Sequence, residues 1–68
     1  MNADIRLKSG VEVLIDNVRC IKHKLANGSF AEQVNLEEFI LYKEPYVFIG
    51  DKVFSANGAD IEYVLFRN

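Results

Sequence analysis

The sequence contains few of the residues that small proteins use for cross-linking, metal binding or catalysis. Its 68 residues include one cysteine, one histidine, one proline and no tryptophan. A lone thiol cannot form an internal disulfide, and a single histidine with a single cysteine does not supply a tetrahedral metal site. We therefore expect no cofactor and no metal, and the unpaired Cys20 predicts a reducing, cytoplasmic location.

Long hydrophobic runs are also missing. The longest spans four residues, as at 39–42 and 46–49, whereas a membrane-spanning helix needs about 20. The first residues lack the basic and apolar regions of a signal peptide, so no membrane partner is expected. Half of the residues are hydrophobic, which excludes disorder. The length predicts one small domain, 1–68, whose marginal core favours self-association.

Four isolated glycines divide the chain at the spacing of hairpin turns. A three-residue loop at 8–10 pairs Ile5 with Val13 and Arg6 with Glu12, which places the apolar residues on one face. Gly10 then occupies the left-handed position of that loop.

The dipeptide Asn27-Gly28 favours a two-residue turn. That turn places His23 opposite Glu32 and predicts a second hairpin with one apolar and one mostly polar face. Gly50-Asp51 predicts a third hairpin, in which Val47 faces Phe54.

The last turn, Asn57-Gly58, leads into an apolar segment at 61–66, and the strands over 46–66 are apolar on both faces. Pro45 fits the entry of a strand because it cannot donate to a ladder.

Residues 35–44 admit two interpretations. Asn35 and Glu38 have the spacing of a helix cap, whereas Phe39 to Tyr42 read equally well as a strand. The fold class we predict is all-β, with room for one short helix near 35–43. Consecutive antiparallel hairpins would build a small barrel or a sandwich, and the pattern does not distinguish these two.

Catalytic groups are sparse. His23 has a carboxylate partner in Glu32 under the predicted register, but a cross-strand surface pair is the simpler interpretation. Cys20 lies on the opposite strand face from His23, so a cysteine–histidine nucleophile is disfavoured. We expect no enzymatic activity and no catalytic residues.

Basic residues concentrate near the start of the chain, although the net charge of the whole is −2. Residues 1–24 carry a net charge of +2 and residues 25–68 carry −4. A phosphate-binding stripe is one interpretation, and it comprises Arg6, Lys8, Arg19, Lys22 and Lys24. Seven of the eight aromatic residues lie elsewhere, between Phe39 and Phe66, so bases lack an adjacent stacking platform in sequence.

Two segments resemble motifs of Sm-like RNA-binding proteins. Residues 7–13, Leu-Lys-Ser-Gly-Val-Glu-Val, are similar to the first motif of that family, and residues 48–53, Phe-Ile-Gly-Asp-Lys-Val, are similar to the second. Ile15 and Ile21 stand where the family has a glycine and an aspartate. The resemblance implies a small barrel that contacts RNA through the second motif.

The aromatic cluster predicts a different function. A domain of this size cannot easily bury both faces of the 46–66 strands, and an exposed apolar face with tyrosines typically marks an association surface. The predicted surface comprises Tyr46, Phe48, Asp60, Glu62, Tyr63 and Phe66. We expect a non-enzymatic interaction module that binds itself and another protein: a small inhibitor, adaptor or assembly subunit of the kind that phages and mobile elements often encode. The alternative is an Sm-like or OB-like barrel that binds RNA or single-stranded DNA through the basic residues.

Overall fold

The computed structural model describes all 68 residues and contains seven strands and two short 3₁₀ turns. The strands are β1 (Asn2–Leu7), β2 (Glu12–Ile15), β3 (Cys20–Lys24), β4 (Phe30–Gln33), β5 (Pro45–Ile49), β6 (Val53–Asn57) and β7 (Ile61–Arg67). Strands in the order β2-β1-β7 form the first sheet, and strands in the order β4-β3-β5-β6 form the second. All neighbours are antiparallel, which confirms the all-β class.

The first hairpin has the predicted register. Ile5 pairs with Val13 and Arg6 pairs with Glu12, and Gly10 has a φ of 94°. The left-handed glycine closes a three-residue loop whose twist matches the flanking strands. Apolar and polar side chains alternate along both strands. This alternation favours the observed register, because a shift by one residue would turn the core side chains toward solvent.

The second hairpin differs from the prediction by one residue. His23 pairs with Ala31, and Glu32 pairs with Lys22 instead. The Leu25 amide donates to Ser29 O at 2.7 Å, so the loop has three residues, 26–28, with Gly28 at a φ of 87°. The predicted pairing of His23 with Glu32 is therefore wrong.

The third hairpin is also shifted by one residue, so that Phe48 pairs with Phe54 and Val47 with Ser55. Pro45 begins β5 as predicted. The segment after Asn57 turns, but β7 pairs with β1 and not with β6. The Asn57 side chain accepts a hydrogen bond from the Ala59 amide at 2.9 Å, which stabilises a 3₁₀ turn at Gly58–Asp60 on the way to the other sheet.

The short helix predicted near 35–43 is present as a single 3₁₀ turn, whereas the strand considered for 39–42 does not form. One 3₁₀ turn spans Leu36–Glu38, and no side-chain hydrogen bond from Asn35 caps it. The rest of the segment is irregular, with Phe39 half-buried and Ile40 exposed.

No helix in the structure is long and apolar enough to cross a membrane.

Both sheets contribute to one core. Its nine buried hydrophobic residues are Ala3, Ile5, Ile15, Val18, Ile21, Leu36, Tyr46, Phe48 and Ile61. The link 16–19 ties the sheets together, because Val18 N donates to Met1 O at 2.7 Å and Arg19 N donates to Ile49 O at 2.8 Å. The sheet faces that point toward this core are called the inner faces below, and the opposite faces the outer faces.

Candidate functional site

A groove of about 320 Å³ lies between the β3–β4 hairpin and residues 39–44, which follow the first 3₁₀ turn and are called the irregular segment below. Its lining residues are His23, Leu25, Ala26, Gln33, Glu38, Ile40, Tyr42, Glu44 and Tyr46. The volume is at the lower end of the range of about 300–1,000 Å³ that is typical of small-molecule pockets. We call this feature the groove.

Large apolar side chains at the rim of the groove are open to solvent. Ile40 and Tyr42 are both 61% exposed and Leu25 is 40% exposed. Ile40 and Tyr42 are separated by Leu41, which is half-buried and packs against the core. Successive side chains of the irregular segment therefore alternate between core and solvent, and the two that face solvent, Ile40 and Tyr42, lie close together.

The buried phenol of Tyr46 holds the irregular segment in position. Its hydroxyl accepts a hydrogen bond from Tyr42 N at 2.7 Å and donates to Ile40 O at 3.3 Å. Burial raises the pKa of Tyr46, although the hydrogen bond from the Tyr42 backbone opposes this shift. The phenol is therefore protonated at neutral pH and keeps its donor for Ile40 O.

His23 and Glu44 meet at the side of the groove. Nδ1 of His23 lies 3.0 Å from Oε1 of Glu44, but the two atoms are not aligned as a hydrogen bond. The contact is an ion pair only when the imidazole is protonated. The carboxylate beside His23 is thus Glu44, a residue 21 positions away in sequence, and not the predicted Glu32.

The structure separates the six residues of the predicted association surface. Tyr46 and Phe48 are buried, at 1% and 0% exposure, because β5 is an internal strand with both side chains on the inner face of the second sheet. This corrects the expectation that these two side chains are exposed.

The other predicted residues of that surface lie around β7. Asp60 and Glu62 are exposed, and Tyr63 and Phe66 are half-buried. Tyr63 and Phe66 lie on opposite faces of the strand, since Tyr63 pairs with Arg6 and Phe66 pairs with Ala3 in the same ladder. Tyr46 and Phe48 therefore belong to the core and Phe66 packs against it, whereas Tyr63 lies on the opposite face of β7. The six residues do not form one continuous surface.

The five basic residues are divided between the sheets and the link that joins them. Arg6 pairs with Glu12 at 3.3 Å, and Lys22 pairs with Glu32 at 3.6 Å. Proximity to Tyr63 and to Glu12 raises the pKa of Arg6. Arg19 donates to Gly50 O at 3.4 Å, and only Lys8 and Lys24 make no ion pair or side-chain hydrogen bond.

The comparisons add no identity to this geometry. No family model, no curated protein and no solved structure matches the chain. The similarity to Sm-like proteins thus rests on the two short segments alone, and both segments are hairpin loops with their flanking strands.

Sequence reasoning singled out His23 and Tyr46 but did not bring them together with Leu25, Ile40 and Glu44. The available signal was the apolar run at 39–42, in which alternate residues face the core and the solvent. This signal identifies the groove only when the course of the backbone through the irregular segment is known, and no local sequence pattern specifies that course.

Proposed function

We propose that this chain is a non-enzymatic protein-interaction module of the cytoplasm that binds another protein in the groove. It would act as a small inhibitor, adaptor or assembly subunit. The groove lining suits a binding role, since it has no serine, threonine, cysteine or lysine, the side chains that most often act as activated nucleophiles. Of the two tyrosines in the lining, Tyr46 already has its hydroxyl hydrogen-bonded to backbone.

The observation that carries the proposal is the set of exposed apolar side chains on the groove rim. Leu25, Ile40 and Tyr42 lie together and expose between 40% and 61% of their surface. Exposed apolar groups with a polar border are typical of association surfaces, and burial of apolar area is the dominant favourable contribution to most protein association. Gln33, Glu38 and Glu44 provide that border here.

The first experiment is a pull-down with the tagged chain from lysate of the source organism, with and without nuclease treatment. The protein recovered is then titrated against wild-type chain and the variant Ile40→Asp. We expect at least a tenfold loss of affinity, about 1.4 kcal/mol, because a charge replaces an apolar contact on the rim.

The matched control is Val11→Asp. Val11 is 54% exposed and lies next to the loop of the first hairpin, outside the groove, so its affinity should stay within twofold of wild type. Equal binding by Ile40→Asp and wild type would refute the groove as the site. Partners that disappear on nuclease treatment would instead favour nucleic-acid binding through Arg6, Lys8, Arg19, Lys22 and Lys24.

The proposal includes self-association. The outer face of the second sheet carries a row of apolar residues formed by Cys20, Ile49 and Val53, which are cross-strand neighbours. Val53 is 67% exposed. A second copy of the chain that packs on this row would enlarge a small core.

A further inference from the structure

We propose that the groove receives a cationic side chain, an arginine or a lysine, of the partner protein. This inference rests on the proposed function and adds the chemistry by which the partner would be recognised. Three properties of the groove support it: its charge, its apolar wall and its fixed shape.

The charge of the groove is negative. Glu38 and Glu44 both line it, whereas no lysine or arginine does. Glu38 forms no ion pair within the chain, and the only ion-pair partner of Glu44 is His23. Both carboxylates can therefore accept hydrogen bonds from an incoming cation, and charge-assisted hydrogen bonds are the stronger class.

The apolar wall suits the rest of such a side chain. Lysine and arginine have a long aliphatic stem that packs on apolar surface while the charged head remains near polar groups. Leu25 and Ile40 offer that surface, and the ring of Tyr42 offers a face for the cation.

Other side chains fit the groove less well. An acidic side chain would be repelled by Glu38 and Glu44. An apolar side chain would remove these carboxylates from water without giving them a partner, which opposes binding. The volume of about 320 Å³ is at the small end of the range for ligand pockets, and we infer that it suits one long side chain better than a folded segment.

The fixed shape of the groove reduces the ordering needed on binding. The Tyr46 hydroxyl holds the backbone at Ile40 and Tyr42. Gly58 N donates to Glu44 O at 2.8 Å, which anchors the backbone that carries one of the two carboxylates. A site held in place before binding loses less conformational entropy when its ligand arrives.

The test is a selection of random peptides displayed on phage against the immobilised full-length chain. The selected peptides are titrated against wild type and the double variant Glu38→Gln/Glu44→Gln, which keeps shape and removes charge. We expect a consensus with one arginine or lysine beside apolar residues, and at least a tenfold weaker binding by the double variant at low salt. Replacing the basic residue of the peptide by glutamine should cause a similar loss, and the consensus itself shows which of the two cations is preferred.

The matched control is Glu37→Gln, which removes one exposed charge from a neighbour of Glu38 that does not line the groove. This variant should bind within twofold of wild type. Denaturant unfolding of each variant confirms that the fold is retained.

The outcomes separate this inference from the proposed function. Peptides that lack a basic residue but lose affinity with Ile40→Asp would overturn the cationic side chain and leave the groove as a binding site. Failure to select peptides sensitive to Ile40→Asp would overturn both.

Discussion

At the scale of single residues, Gly58 shows how one side chain can be excluded by tertiary packing. The residue is buried, and a Cβ atom there would overlap the carbonyl oxygen of Tyr42 and lie 2.9 Å from Cε2 of Tyr46. The sequence predicts Gly58 only as part of a turn. Its second role is to let the backbone of the second 3₁₀ turn approach the irregular segment.

The variant Gly58→Ala should therefore be strongly destabilising. Because a backbone carbonyl cannot move aside as a flexible side chain can, we expect a loss of more than about 3 kcal/mol in the free energy of unfolding, above the usual range for one substitution. Chemical denaturation followed by circular dichroism measures this loss, and disappearance of the cooperative transition would agree with it.

Gly10→Ala provides the control for backbone strain alone. Gly10 has a φ of 94°, and no atom within 4 Å of the added methyl group, so the expected cost is about 1–2 kcal/mol. Equal losses for the two variants would contradict the packing role of Gly58.

At the scale of elements, the hairpins show which part of the fold the sequence determines. The register of β1 and β2 follows from their alternation, since Ile5 and Val13 must share the core-facing side. The β4 strand lacks such a signal: Phe30 is 55% exposed, and the small Ala31 takes an inner position opposite His23. With no strong apolar alternation, loop geometry decides the register.

The loop chosen at Asn27-Gly28 explains the shift by one residue. Asn27 Oδ1 accepts hydrogen bonds from Ser29 N at 3.0 Å and from Ser29 Oγ at 2.6 Å. These bonds stabilise the three-residue loop over the two-residue turn that the dipeptide commonly forms. Ser29, which follows the dipeptide, indicates the longer loop, but the sequence does not show its effect on the register unless the pairing of the strands is known.

Within the irregular segment of residues 39–44, Phe39 makes the aromatic contacts with the core, in addition to the packing of Leu41 and the hydrogen bonds of Tyr46. The ring centroid of Phe39 lies 5.3 Å from that of Tyr46 and 5.9 Å from that of Phe66. Aromatic contacts of this kind contribute beyond the area they bury. Phe39 therefore contributes to the position of the segment, although the segment forms no regular structure.

We expect Phe39→Ala to lower the free energy of unfolding by about 2–4 kcal/mol, near the lower end for buried aromatic truncations because Phe39 is half-buried. Ile40→Ala is the neighbouring control and should cost less than about 1 kcal/mol, since Ile40 is 61% exposed. Urea denaturation of both variants measures the difference. A larger loss for Ile40→Ala than for Phe39→Ala would mean that Ile40 faces the core and Phe39 faces solvent.

At the scale of the whole molecule, the core is small for the number of residues it must order. Only 12 of 68 residues are buried, and large apolar side chains stay exposed on the outer face of each sheet, such as Leu14 and Leu65 on the first and Val53 on the second. The sequence correctly predicted strands that are apolar on both faces. The sequence did not show which of the two apolar faces of a strand is buried, because this depends on which sheet the strand joins.

The row formed by Cys20, Ile49 and Val53 gives the self-association proposal a direct test. A dimer of the 7.8 kDa chain should be present in sedimentation velocity experiments, and its melting temperature should rise with protein concentration. Val53→Asp should shift the chain to the monomer without unfolding it, because Val53 is 67% exposed and lies on the edge strand β6. Val11→Asp places the same charge at an exposed position outside this row and should leave the dimer intact. A wild-type chain that sediments as a monomer at every concentration would refute self-association, and dissociation by both variants would place the contact elsewhere.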